Sequence, residues 1–168
     1  MEPLYTMRTA QKSDAASLKD LFQETVLTVN RRDYSMAEVE DWASCGEGLL
    51  KWEGVLDTQY FIVAENLQTE IVGFSSITPQ GYLHFMYVHK DYQGKGVATM
   101  LLAEMERYAR ENGIKRITSE VSLTARPFFE KQGYVVEAEQ KRKANQLSLT
   151  NFWMAKNLSV LPPSSVSA

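Results

Sequence analysis

Apolar side chains spaced three and four apart mark the first long element. Ala16, Leu18, Leu21, Phe22, Thr25, Val26 and Val29 share one stripe behind Ser13, which predicts a helix within residues 13–30 with Ser13 as its cap. Ahead of it, YTMRT (5–9) reads as a short strand. Ser35 and Glu38 stand three apart, the spacing of a capping box, so a second helix is expected from Met36 to about Trp42. QYFIVAE (59–65) and EIVGFSSI (70–77) are β-rich runs joined by polar NLQT, the pattern of a hairpin. YLHFMYV (82–88) alternates between faces and gives a third strand of this group. VATMLLAEMERYAREN (97–112) is the strongest helical pattern, with Gly113 as its stop. A strand at 115–121, a short helix at 125–133 and two closing strands, YVVEAEQ and LSLTNFWMAK, complete the chain. This order predicts an α/β (α+β) fold: a mixed, mainly antiparallel sheet of six to seven strands flanked by helices. One domain over 1–158 is expected, with a small, polar, proline-containing tail over 159–168 expected to be disordered.

Composition narrows the function classes. At 168 residues a single self-supporting core is the default, and 44% hydrophobic with 23% charged residues is ordinary. A net charge of −3 argues against a nucleic-acid partner. Cys45 is the single cysteine, so no internal disulfide forms, which suits a reducing compartment. No apolar run approaches the length of a membrane span and no signal peptide is recognisable. A cytoplasmic protein with no membrane partner is expected, and no metal site.

Candidate chemistry concentrates in DYQGKGVATMLL (91–102). Two glycines flank a lysine and a helix begins at once, which is how a loop presents backbone N–H groups and a helix N-terminus to an anion. A P-loop needs Gly, four residues, then Gly-Lys-Ser/Thr, and that second half is missing. A dinucleotide fingerprint is closer: Gly94 and Gly96 are present, Thr99 replaces the third glycine, and Glu120 follows on the next strand. Five polar residues, His89 to Gln93, separate that turn from its strand, and no βαβ start precedes it. The third reading is a pyrophosphate cradled by consecutive amides.

On that reading the stretch YVHKDYQGKGVATMLL resembles the acyl-CoA loop of the GCN5-related N-acetyltransferase superfamily. Gln93, Gly96 and Ala98 match its Gln/Arg-x-x-Gly-x-Gly/Ala signature, and ARPFFEKQGY (125–134) matches a second landmark of that family. The resemblance is strong from about residue 60 to 134. VNRRDYSMAEVEDWA (29–43) is similar to a bacterial subgroup of these acetyltransferases. The resemblance implies the acyl-CoA N-acyltransferase fold and acetyl-CoA as cosubstrate. It implies a cofactor site in which Met86, Tyr87 and Val88 edge the pantetheine arm, Met86 and Val88 through their backbones. Gln93, Gly94, Lys95, Gly96, Val97, Ala98 and Thr99 would form the pyrophosphate loop, with Lys95, Lys90 or Lys131 near the adenosine phosphates. Ser122 would stand beside the pantetheine, with Phe128 and Phe129 against the cofactor. A homodimer is compatible with the family.

Acetyl transfer to an amine needs a proton acceptor, because an alkylammonium of pKa about 10 is almost wholly protonated at neutral pH. His84, mid-strand and on the face of Tyr82, Met86 and Val88 by simple alternation, is the candidate base or water relay; its other reading is a hydrogen-bonded structural histidine. Glu24 or Glu38 are alternatives. The free amide of Met86 suits an oxyanion. Where many relatives have a tyrosine as general acid toward the thiolate, this chain has Phe129, leaving unaided departure or help from Tyr134, Tyr87 or water. Asn30, Tyr34 and Tyr82, with Trp42, Trp52 and Trp153, are candidates for the acceptor pocket between the first two helices and the last hairpin. The expected reaction is transfer from acetyl-CoA to a primary amine of a small molecule in a ternary complex. A non-catalytic acyl-CoA-binding module and acetylation of a peptide or protein amine are the alternatives.

Overall fold

A computed structural model describes residues 3–159, so the tail beyond residue 159 lies outside the described residues. Seven strands form one mixed sheet in the order β1-β2-β3-β4-β5-β7-β6. They are β1 (Thr6–Thr9), β2 (Tyr60–Glu65), β3 (Ile71–Ile77), β4 (Tyr82–Val88), β5 (Arg116–Ser122), β6 (Val135–Lys143) and β7 (Ser148–Asn157). All neighbours run antiparallel except β4 and β5. Among the described residues five α-helices flank the sheet: α1 (Ala15–Thr28), α2 (Met36–Ser44), α3 (Leu49–Thr58), α4 (Val97–Glu111) and α5 (Arg126–Lys131).

Each face of the sheet has its own core. On one face α4 seats Val97, Leu101, Leu102, Met105 and Ala109 against Ile62, Val72, Leu83 and Val88. Burying a Leu or Met of this kind stabilises the fold by about 1.5–3 kcal/mol. On the other face α1, α2 and α3 bury Leu18, Phe22, Val26, Val39 and Trp52 against Phe61, Val63 and Phe74.

Most expected elements are present, with instructive departures. The Ser35–Glu38 capping box caps α2 as read, with both reciprocal hydrogen bonds made. Ser13 does not cap α1. It lies in a 3-10 turn (Lys12–Asp14), and Asp14 instead accepts from the Gln11 amide at 2.7 Å while pairing with Arg8. That extra turn rotates the stripe, so Ala15 is buried and Ala16 is exposed. Helix α3 has no counterpart in the sequence reading. Of its residues only Trp52 is fully buried, and Leu49 and Leu50 face solvent, so no periodic stripe announces it. β6 extends three residues past the expected end, because Lys141, Arg142 and Lys143 pair with β7 at the sheet edge.

Two irregularities of β4 place the site. β4 and β5 pair only at Tyr82–Thr118 and Leu83–Ser119, after which the strands part. The β3–β4 register shifts between Ser76–Phe85 and Ile77–Leu83, leaving His84 as the extra residue of a bulge.

Candidate active site

The gap between the parting strands is the first cavity, about 340 Å³ in volume. His89 N–H donates to Val72, so alternation along the antiparallel ladder turns the backbone groups of Met86 and Val88 away from β3 and into the gap. The Val88 carbonyl is already occupied there. It accepts from Gln93 Nε2 at 2.6 Å and from Thr25 Oγ1 at 3.3 Å. Gln93 therefore braces the loop onto the strand end.

The loop then turns into α4 through Gly94 (φ 71°) and Gly96 (φ 86°), both in the left-handed region. A Cβ at either would meet nothing within 4 Å, so conformation, not crowding, calls for glycine. No side chain caps α4 and its first turn carries no acid. The N–H groups of Val97, Ala98 and Thr99 consequently face the cavity end with the positive pole of the helix behind them. Lys95 lies outside the cavity wall, its ammonium 5.8 Å from the Tyr92 ring centroid. Lys90 is held by Glu24 and Asp91, and Lys131 is exposed away from this wall.

The far wall comes from β5 and α5. Phe128 and Phe129 both line it, and Phe129 is 3% exposed with its ring edge-on to Tyr134. Ser122 lines the cavity too, but its hydroxyl accepts from Ala125 N–H at 3.0 Å and serves first to start α5. Thr124 escaped notice in the sequence. Its hydroxyl is buried on the cavity wall without a hydrogen-bond partner from the protein. Asn30, expected at the acceptor, lines this first cavity.

A second cavity of about 290 Å³ opens between α1–α3 and the β6–β7 hairpin. Trp42, His84, Tyr87, Glu120 and Ser122 line both cavities and mark where they meet. Tyr82 and Trp52 line the second cavity, the latter anchored by Nε1–H donating to Gly46 at 2.9 Å. Trp153 lines neither; it stacks on Tyr82 at 5.9 Å. Tyr34 borders the second cavity, but its hydroxyl donates to the Thr150 carbonyl at 2.6 Å and accepts from Leu123 N–H at 2.9 Å. Tyr34 ties the segment before α2 to strand β7 and to the turn after β5.

His84 sits at the junction, and its placement corrects simple alternation. Because of the bulge, Tyr82, His84 and Phe85 all serve the α1–α3 side, while Met86 and Val88 face α4. The imidazole stacks on Phe85 at 4.1 Å. Burial pushes it below its ordinary 6.5, and the charge of Lys51 adds to the effect. Nδ1 lies 2.9 Å from Gln59 Nε2, while Gln59 Oε1 is buried and unpartnered. Half a turn of that amide sets Oε1 against Nδ1–H and leaves the lone pair of Nε2 free. Burial, reinforced by Glu120, pushes the Tyr82 hydroxyl up to about 12, and burial raises Tyr87 as well. Tyr134 is removed from the chemistry: its hydroxyl donates to Glu106 at 2.8 Å within a Glu106–Lys156 pair on the far side of Phe129.

The acetyltransferase (GNAT) domain model matches residues 30–156, most of the chain. The chain belongs to the GNAT acetyltransferase family. The uncharacterised N-acetyltransferase YafP of Escherichia coli K12 is 29% identical over 88% of this chain and 93% of its own. A GCN5-related N-acetyltransferase of Rhodopseudomonas palustris superposes with a TM-score of 0.89 at 31% identity, covering 94% of this chain and 98% of the other. The PaiA N-acetyltransferase of Thermoplasma acidophilum, solved with coenzyme A, gives 0.77 at 20% identity over 94% and 99%.

For a GNAT domain the glycine turn was the legible part. Glu120 was read only as a ribose-binding acid in the dinucleotide alternative. Its place at the junction depends on the parallel β4–β5 pairing, which no local pattern reports. Among the described residues no cluster of potential metal ligands occurs, and no helix is long and apolar enough to cross a membrane.

Proposed function

We propose that this GNAT domain transfers the acetyl group of acetyl-CoA to a primary amine of a small molecule, directly, within a ternary complex. The observation that carries the reading is the meeting of two cavities at the β4 bulge. One ends on the uncapped α4 N-terminus and suits a long phosphate-bearing thioester; the other is short and aromatic. Residues 94–99 bind pyrophosphate oxygens through their amides, and the Thr124 hydroxyl bonds the pantetheine arm. The Met86 N–H polarises the thioester carbonyl.

His84 takes the proton. With Nδ1–H donating to Gln59 Oε1, the Nε2 lone pair accepts a proton from the ammonium, directly or through water. The free amine attacks the carbonyl carbon, the C–N bond forms, and the negative oxygen rests on the Met86 amide. Collapse breaks the C–S bond, and the thiolate leaves as an anion of pKa near 8.5 by analogy with cysteine. The nitrogen gives up its second proton, through water, to that thiolate; Phe129 has none to give, and the Tyr87 hydroxyl, its pKa raised by burial, keeps its own.

Thiol release from acetyl-CoA across a panel of primary amines tests the reading. Turnover with at least one amine is expected. Acetyl-CoA that binds without thiol release for any amine would favour a domain that only senses acyl-CoA, the reading that Phe129 keeps open.

A further inference from the structure

The acceptor cavity is charged against the trend of the molecule. The chain as a whole carries −3, yet this cavity presents Lys51, Arg142 and Lys143 against the single carboxylate of Glu120. Glu120 is spent on Arg142 at 2.9 Å. Among the described residues neither Lys51 nor Lys143 has a carboxylate within 4.0 Å, and the Lys51 ammonium rests on the Cys45 carbonyl at 3.2 Å. Asp41, which accepts from the backbone N–H groups of Asn145, Gln146 and Leu147, keeps its charge and acts on Lys143 from beyond ion-pair distance. Lys51, and less fully Lys143, are left without an ion-pair partner beside an otherwise aromatic wall of Trp42, Trp52, Tyr82 and Phe85.

We infer that the acceptor is an amine that also carries an anionic group on a flat, apolar body. This rests on the transfer reading above. The amine end lies at the junction, between His84 and Glu120. The ring slides between the aromatic side chains, and the anion lies toward Lys51, with Lys143 and Arg142 across the cavity mouth. A second cationic centre, as in a polyamine, would add to an existing surplus and is disfavoured. An anion beside Lys51 also offsets the field that Lys51 exerts on His84. Carboxylate and phosphate share this chemistry, so both belong in the test.

Tryptophan fluorescence of the CoA-saturated protein reads the cavity directly, since Trp42 and Trp52 line it. The probes are para-aminomethylbenzoate, para-aminomethylphenylphosphonate and benzylamine, whose amines titrate alike. At least one anionic probe is expected to bind at least about tenfold tighter than benzylamine, a margin of the size one tenfold step in Kd represents. Lys51→Met, which keeps the stem and removes the charge, is expected to shrink that ratio to below about threefold, with Lys143→Met shrinking it less. The tighter of the two anionic probes assigns carboxylate or phosphate. Benzylamine binding as tightly as both, or a ratio unchanged in both lysine variants, overturns the inference. Thiol release followed in parallel keeps the two readings apart. Preferential anion binding without thiol release overturns the transfer reading alone, and thiol release with benzylamine as the preferred acceptor overturns only this inference.

Discussion

His84, the proposed base, is turned out of line by the bulge, and Gln59 fixes its ring. Burial keeps it neutral to lower pH than a free histidine, whose value is 6.5. Its capacity to accept a proton is therefore present above its depressed value and lost as pH falls through it. His84→Ala is expected to lower kcat/KM by about 10²–10⁴. The deficit is greatest between the His84 value and the amine's own pKa of about 10, and shrinks as the amine deprotonates unaided. A pH–rate profile that keeps its shape in the variant leaves His84 a structural role. Phe129 gives the complementary test. Phe129→Tyr is expected to change kcat by less than about tenfold, since the thiolate is a good leaving group. Phe129→Ala, at a site 3% exposed, is expected to cost about 3–5 kcal/mol of folding free energy in a denaturant titration.

The elements carry what single residues cannot. The start of α4 holds its amides open through Gly96 at φ 86°, so Gly96→Ala strains the turn by about 1–2 kcal/mol while leaving room. Gly96→Glu places a negative charge where the proposed reading puts the pyrophosphate and is expected to abolish CoA binding by calorimetry with the fold intact. Equal affinity in that variant contradicts the loop assignment. At the acceptor end, Asp41 on α2 accepts from three successive backbone N–H groups of the β6–β7 turn and so holds the hairpin that carries Arg142 and Lys143. Those N–H bonds hold its carboxyl below its usual 3.8. The latch is complete above that value and loosens as pH falls through the depressed one, so neutral pH leaves it shut. Asp41→Ala is expected to speed amide exchange at Asn145, Gln146 and Leu147 and to raise KM for the acceptor more than it lowers kcat. Local signals announced some of this. The glycine turn, α4 and the α2 capping box are written in adjacent residues. The bulge at His84, the 3-10 turn that displaces the α1 cap and helix α3 are not, because tertiary packing decides each of them.

At the scale of the whole molecule, the seven-stranded order and the parting of β4 from β5 build the site. The fold class was readable from the order of elements and from the resemblance of residues 60–134 to one family. The acceptor side was not, since its walls come from α1, α2, α3 and the closing hairpin, far apart in the chain and joined only by the fold. On the proposed reading, donor and acceptor meet where the two cavities share His84, Tyr87 and Glu120, with no acetylated protein between them. Cys45, the thiol that lines the second cavity, is held protonated by burial and is a poor relay. Acetyl-CoA labelled in its acetyl group, incubated with the protein first alone and then with a primary-amine panel, follows the group itself. The label is expected to stay on CoA until an amine is added and then to appear in an amide of that amine, with none on the protein at any time. Label on Cys45 or any other residue before the amine arrives, or label that never leaves CoA with any amine, would contradict direct transfer.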